Sequence, residues 1–185
     1  MTVREIAFSP QKALESTLYI ASRLQTPTVH EVLKLRYFAD KLHLAVYGFV
    51  ASGDEYVAMR FGPVASSTYN LLKAARGDQT GWIHPKFYEV IDGAIAVERS
   101  SNRVVPQRAA NTDYLSKADV EILDSAIVQY GNMSFAERTK LSHDSAWEAA
   151  WESAKEDEAG QSPMLLESIA GTLENSEEVI AHLNA

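Results

Sequence analysis

The chain has 185 residues, of which 25 are acidic and 17 are basic, so its net charge is −8 at neutral pH. Its length is typical of a single domain of about 100–200 residues, and a hydrophobic fraction of 46% argues against a globally disordered chain. The absence of cysteine excludes disulfide bonds, thiolate metal sites and a cysteine nucleophile.

The distribution of charge favours a protein partner over nucleic acid, and the apolar stretches are too short for a membrane span. Basic residues are scattered and form no cluster that could follow a phosphate backbone, so we do not expect nucleic-acid binding. An acidic chain suits a basic protein partner, because complementary charge steers the encounter. The chain shows no secretory signal, and its longest apolar stretch, 42–51, is far shorter than the ~20 residues of a spanning helix. We therefore expect a cytoplasmic protein that does not enter a membrane.

The first part of the chain predicts two helices. Residues 1–8 are expected to form a frayed terminus, and Ser9, which is followed by proline, is a typical helix cap. A second helix begins at Thr28, because Thr28 and Glu31 have capping-box spacing, and it ends at Gly48. This second helix is apolar around much of its circumference, so we expect it to be central.

The middle of the chain predicts short strands around a third helix. Residues 56–59 have strand character, and a Gly-Pro pair at 62–63 predicts a turn into a helix over 64–75. Residues 87–98 predict a β-hairpin, because an Asp-Gly pair between two apolar runs is the strongest short hairpin signal. A further short strand is expected at 104–105.

The later part of the chain returns to helical patterns. Ser116 and Ser134 each begin a capping-box pattern, in which Asp119 takes the place of Glu or Gln after Ser116. Asp144 or Ser145 is the expected cap of the next helix, which carries two tryptophans.

The predicted fold class is α+β and mainly α-helical, with a helix bundle around one central apolar helix and a small antiparallel sheet or hairpin. The main domain is predicted to span residues 1–151. Residues 152–162 are acidic and poor in apolar side chains, so they are interpreted as a linker. Residues 163–185 are predicted to form an amphipathic helical extension.

Sequence signatures of enzymes are missing or incomplete. His30-Glu31 begins like a zinc-protease motif, but Lys34 stands where the second histidine is required. The sequence from His143 to Ser145 contains the residue types of a catalytic triad, but sequence neighbours rarely converge on one reaction centre, and a helix boundary explains them better. We therefore expect no catalytic residue, no metal site and no cofactor. The alternative is a small hydrolase whose site is assembled from distant histidines and carboxylates.

Several apolar side chains are candidates for contact with a partner protein. Tryptophan is enriched at binding hot spots but is also a common core residue, and the two tryptophans lie four residues apart on one helix face. The C-terminal amphipathic segment has the same two interpretations. The partner-binding candidates are Trp147, Trp151, Met164, Leu165, Ile169 and Leu173.

Three groups of short motifs, taken together, resemble a known family. They are Lys34 to Ala39 with His43 and Gly48, then Gly62 to Val64 with Tyr69, and finally Leu141 to His143 with Trp147. Their order and spacing resemble the Panacea domain, also called the SocA-type antitoxin domain, over residues 14–151. The family pattern at the first motif is Lys-Leu-Leu-Tyr-Phe-Ala, and Arg36 replaces its second leucine, which changes one face of that helix.

The resemblance implies an antitoxin of a bacterial or prophage toxin–antitoxin pair, which neutralises its toxin by direct protein contact. The cognate toxin is expected to be basic, because this chain is acidic, and self-association stays compatible with the sequence. Alternatives are an adaptor that delivers a toxin to a protease, a phage-associated scaffold protein, and the small hydrolase named above.

Overall fold

A computed structural model describes residues 7–78, 85–155 and 160–185 of the chain, so most of the predicted frayed start, 1–8, lies outside the described residues. The helices are α1 Pro10–Ala21, α2 Val29–Tyr47, α3 Ser66–Ala75, α4 Pro85–Ile91, α5 Lys117–Tyr130, α6 Phe135–Ser142, α7 Ser145–Ala154, α8 Leu166–Ala170 and α9 Ser176–Leu183. The strands are β1 Tyr56–Met59, β2 Gly62–Ala65, β3 Ile95–Val97, β4 Val104–Pro106 and β5 Ser162–Met164. The predicted α+β, mainly helical class is confirmed.

The central position predicted for α2 is confirmed. Thr28 caps its start by accepting the backbone N–H of Glu31 at 3.2 Å, and Gly48 ends it in the left-handed conformation with φ of 77°. Helices α1, α5 and α6 and strand β2 all pack against α2. Burial of α2 on several sides is the expected consequence of its broad apolar surface.

A three-stranded antiparallel sheet has the order β2-β1-β5 and joins distant parts of the chain. Strands β1 and β2 form a hairpin, and β5 pairs with the other side of β1, with Met164 opposite Tyr56. Strands β3 and β4 form a separate two-stranded sheet. The first residues of the predicted linker, 152–162, complete α7, and its last residue, Ser162, begins β5. The segment after residue 160 therefore contributes a strand to the same sheet as β1.

Both edge strands of this sheet contain a proline, Pro63 in β2 and Pro163 in β5. Ser66 donates its backbone N–H to the Glu55 carbonyl at 2.8 Å, which fixes the hydrogen-bonded positions between β1 and β2. Since bonded and non-bonded pairs alternate along an antiparallel ladder, both prolines oppose β1 at non-bonded positions. Their carbonyls point outward, and neither proline offers an N–H to a further strand.

The predicted start of the third helix was wrong by two residues. Residues 62–65 form strand β2, and α3 begins at Ser66. Proline fits the edge strand because its missing N–H faces away from β1. Asp54 caps α3 from a distance, since its carboxylate accepts the backbone N–H groups of Ser67 at 2.9 Å and Thr68 at 2.8 Å.

The hairpin predicted over 87–98 was wrong in its first strand and its pairing, whereas its second predicted strand contains β3. Residues Pro85–Ile91 form helix α4, and the Asp92-Gly93 pair follows its end instead of joining two strands. The apolar residues Phe87 and Ile91 are four positions apart, so a helix buries both of them against the core. The actual hairpin joins β3 to β4, and the strand predicted at 104–105 is part of β4.

Helix caps in the later part of the chain are as predicted. Ser116 and Ser134 form complete capping boxes at the starts of α5 and α6. Asp144 caps α7 by accepting the backbone N–H of Trp147 at 3.1 Å. Within the described ranges, none of the helices combines the length and the apolar composition that crossing a membrane requires.

Candidate functional site

The three sequence motifs meet at the buried side of α2. Lys34, which is 1% exposed, donates its ammonium to the Pro63 carbonyl at 2.7 Å, and this is the outward-facing carbonyl of edge strand β2. A Cβ atom placed on Gly62 would lie 2.5 Å from the Ser142 hydroxyl oxygen and 3.0 Å from the Lys34 ammonium. We call this group, Lys34 with Gly62, Pro63, Ser142 and His143, the Lys34 junction.

Helix α7 attaches to the Lys34 junction and to β1 through two contacts of Trp147. The imidazole of His143 stacks on Trp147 with ring centroids 3.5 Å apart. The indole N–H of Trp147 donates to the Met59 carbonyl at 3.0 Å, at the end of β1. The motif residues therefore connect α2, the β1–β2 hairpin and α7.

The environment of the Lys34 junction disfavours the positively charged forms of its basic side chains. Burial lowers the pKa of Lys34 to about 7. Burial, together with the charges of Lys34 and Arg138, lowers the pKa of His30 to about 4, and burial and Lys34 also lower the pKa of His143. The carboxylate of Glu31 is committed to Arg138 at 3.0 Å. Lys34 thus serves mainly as a buried donor to the edge of β2.

We expect Lys34 to make stability depend on pH. Its folded-state pKa is about 7 and its ordinary value is 10.5, so the unfolded chain binds more protons between these values and stability rises with pH. Between pH 7 and pH 9.5, the free energy of unfolding should rise by about 3 kcal/mol more in the wild-type chain than in Lys34→Met. Urea unfolding followed by circular dichroism at both pH values measures this difference.

The control for this prediction is Lys140→Met, which changes an exposed lysine of α6. Its pH dependence should follow that of the wild-type chain, because an exposed ammonium is hydrated in the folded and unfolded states alike. Equal slopes for the wild-type chain and Lys34→Met would contradict the proposed protonation behaviour of Lys34.

A second buried polar network surrounds Arg36, the residue at which the chain departs from the family pattern. Arg36 contacts Asp40 at 3.2 Å and also donates to the Ser52 hydroxyl. Asp40 accepts the Tyr56 hydroxyl at 2.7 Å and the Ala51 backbone N–H at 3.2 Å. Burial alone would lower the pKa of Arg36, but the Asp40 carboxylate raises it above its ordinary value. The negative charge of Asp40 thus compensates the positive charge that Arg36 places in the core.

The hydrolase alternative requires a histidine and a carboxylate from distant parts of the chain to lie close together, and one such pair is found. His43 Nε2 lies 3.3 Å from Asp119 Oδ1, and Lys12 lies 2.8 Å from the other oxygen of Asp119. Burial alone would raise the pKa of Asp119, but hydrogen bonds from His43, Lys12 and Ser116 hold it well below its usual range. The side chains of His43 and Asp119 are 2% exposed, so this pair ties α2 to α5 and does not face solvent.

The six predicted partner-binding residues fall into three groups. Trp147, Met164 and Ile169 are buried in the core, whereas Trp151 and Leu173 are partly buried against it. Leu165 is 67% exposed. Leu165 is therefore the member of the group whose side chain is most open to contact with another protein.

A groove of about 800 Å³ lies beside Leu165. The loop between α2 and β1 forms one wall, the segment from β5 into α8 forms the other, and Phe8 and Leu183 complete its lining. Among its lining residues, Phe49 and Leu165 are large exposed apolar side chains. Each charged residue among the described residues that line it is acidic, namely Asp54, Glu55 and Glu167. We call this feature the Leu165 groove.

Comparison with known proteins identifies the family. A model of the family described as antitoxin SocA-like, Panacea domain, matches residues 32–148. The chain belongs to this family. No curated protein and no solved structure matches the chain. The resemblance inferred from the three motif groups is thereby confirmed.

The Panacea match covers the Lys34 junction but only one wall of the Leu165 groove. It runs from α2 into α7 and includes the Arg36 network and the pair of His43 and Asp119, whereas Lys12 lies before it. The other wall, with Leu165 and Glu167, lies beyond the matched range. The amphipathic context of Leu165 indicates this residue in the sequence. No local sequence pattern indicates Phe49 and Glu55, because the groove forms between segments that are distant in the chain.

Proposed function

We propose that this protein is an antitoxin that neutralises a protein toxin by forming a stoichiometric complex with it. Membership of the antitoxin SocA-like, Panacea domain family is the observation that carries the proposal. Neutralisation by contact needs no catalytic group of the antitoxin, and we propose that the protein acts without catalysing a reaction. Its place would be the cytoplasm of a bacterium or of a cell that carries a prophage.

The physical basis of such a complex would be charge together with apolar anchors. The net charge of −8 favours encounter with a basic toxin, and electrostatic steering raises the association rate. Apolar side chains buried at the centre of the interface would then slow dissociation, which is where most differences in affinity between related complexes arise.

Co-expression with the product of the adjacent gene tests the proposal. We expect this product alone to arrest growth, and we expect growth to resume when the present chain is expressed with it. The toxin should stay at constant abundance in an immunoblot and should co-purify with the chain. An empty vector and an unrelated acidic protein of similar size serve as controls.

Two outcomes would contradict neutralisation by complex formation. If the neighbouring product is harmless on its own, the toxin–antitoxin assignment fails for this pair. If growth resumes while the toxin disappears from the immunoblot, the chain acts as an adaptor for proteolysis. Rescue at constant toxin abundance without any complex would instead favour an enzymatic mode of action.

A further inference from the structure

Leu165 occupies a position that folding of the chain does not explain. It is the residue before α8, in the N-cap position, where Ser, Thr, Asp and Asn are preferred because their side chains accept a backbone N–H. No side chain caps α8, and Leu165 is 67% exposed. A leucine here gains neither a cap nor burial, and together with Phe49 it adds exposed apolar surface to the lining of one groove, which is a feature of partner-binding sites.

The charges around Leu165 define the chemistry of that partner. Asp54 is used within the fold, because it caps α3. Glu55 and Glu167 are exposed, and neither forms an ion pair with any of the described residues. By contrast, Glu15, Glu31 and Asp144 are each paired with an arginine or lysine. The exposed rim of the Leu165 groove therefore presents negative charge without an internal counterion.

The edge of the sheet beside the groove limits how a partner docks. Pro163 lies in edge strand β5 with its missing N–H directed outward. A partner strand would lose one ladder hydrogen bond at the centre of a three-residue strand. Contact through side chains that enter the groove is thus favoured over the addition of a strand to the sheet.

We propose that the Leu165 groove is the docking site of the toxin, an inference that rests on the proposed antitoxin function. The occupant is a toxin segment with an apolar side chain that packs between Phe49 and Leu165. Lysine or arginine residues flank that side chain and pair with Glu55 and Glu167. The Panacea domain supplies one wall of the site, and the residues after 160 supply the other.

Leu165→Ser tests the apolar part of the site. Serine is a favourable N-cap residue, so the substitution removes the apolar side chain without weakening the start of α8. The Kd for the purified product of the adjacent gene should rise about tenfold or more, mainly through faster dissociation. The matched control is Val128→Ser on α5, where a valine that is 79% exposed lies outside the groove. Its Kd should stay within about twofold of the wild-type value.

A double charge reversal, Glu55→Lys with Glu167→Lys, tests the electrostatic part. The association rate should fall about tenfold at low salt, and the difference should shrink at about 0.5 M salt, because screening removes steering. Glu89→Lys with Glu121→Lys changes the net charge by the same amount on exposed glutamates outside the groove. This control should lower the rate far less.

The outcomes separate this inference from the function on which it rests. If the wild-type chain does not bind the product of the adjacent gene, the antitoxin proposal itself fails. If the wild-type chain binds and both groove variants bind equally well, the groove is not the docking site. The same conclusion follows if Leu165→Ser turns a dimer of the chain into a monomer in light scattering but leaves toxin affinity unchanged, since the groove would then bind a second copy.

Discussion

Replacing Arg36 with leucine is expected to lower the free energy of unfolding by about 3–5 kcal/mol, although leucine is the residue that the family pattern has there. The substitution would leave Asp40 buried without its cation, and an uncompensated buried charge is strongly destabilising. Urea unfolding monitored by circular dichroism at pH 7 measures the change.

Two companion variants sharpen this prediction. Arg23→Leu removes an arginine that is 42% exposed and should change stability by less than about 1 kcal/mol. Arg36→Leu combined with Asp40→Leu should cost less than the sum of the two single changes, because the partners compensate each other. Wild-type stability in Arg36→Leu alone would contradict the proposed role of the pair.

Replacing Gly62 with alanine should destabilise the chain by about 3 kcal/mol, from backbone strain and overlap together. Gly62 has φ of 101°, a conformation that residues with a Cβ rarely adopt, and the added atom would lie 2.5 Å from the Ser142 hydroxyl oxygen. The expected fall in Tm is roughly 6–12 °C for a chain of this size. Thermal unfolding followed by circular dichroism gives the value.

Gly93→Ala is the matched control for this steric effect. Gly93 also has a positive φ, 61°, but a Cβ there would meet no atom within 4 Å. Its substitution should therefore cost only the backbone strain, about 1 kcal/mol. If the two variants lose equal stability, close packing at the Lys34 junction does not constrain Gly62.

Local signals predicted the helices well because their physical causes are local. The caps at Thr28, Ser116, Ser134 and Asp144 need only a side chain and a backbone N–H three residues away. The hairpin predicted over 87–98 failed because its apolar spacing also suits one helical turn, and packing against α1 and α3 decided between the two.

Contacts between distant segments could not be predicted from the sequence. Strand β5 finds its partner β1 about a hundred residues earlier, and no local pattern marks that pairing. The link between His43 and Asp119 also joins residues that lie far apart in the chain. The pairing of Arg36 with Asp40 did leave a signal, since opposite charges four residues apart on a helix face each other.

The candidate site likewise contains residues that the sequence identifies and residues that it does not. Sequence patterns identified the residues of the Lys34 junction as a family signature, and the structure shows that they hold α2 to the β1–β2 hairpin and α7. Amphipathic spacing could not separate buried Ile169 and Met164 from exposed Leu165, because a residue next to a short helix follows no regular period.

The most direct test of the central claim is the mass of the purified complex. The chain and the product of the adjacent gene, co-expressed and separated by size exclusion, should elute together with a light-scattering mass that matches a fixed integer ratio of the two. Toxin activity should be absent in that fraction and should return when the toxin is released by denaturation and refolded. Separate elution of the two proteins, while growth in the co-expressing cells is restored, would contradict neutralisation by complex formation.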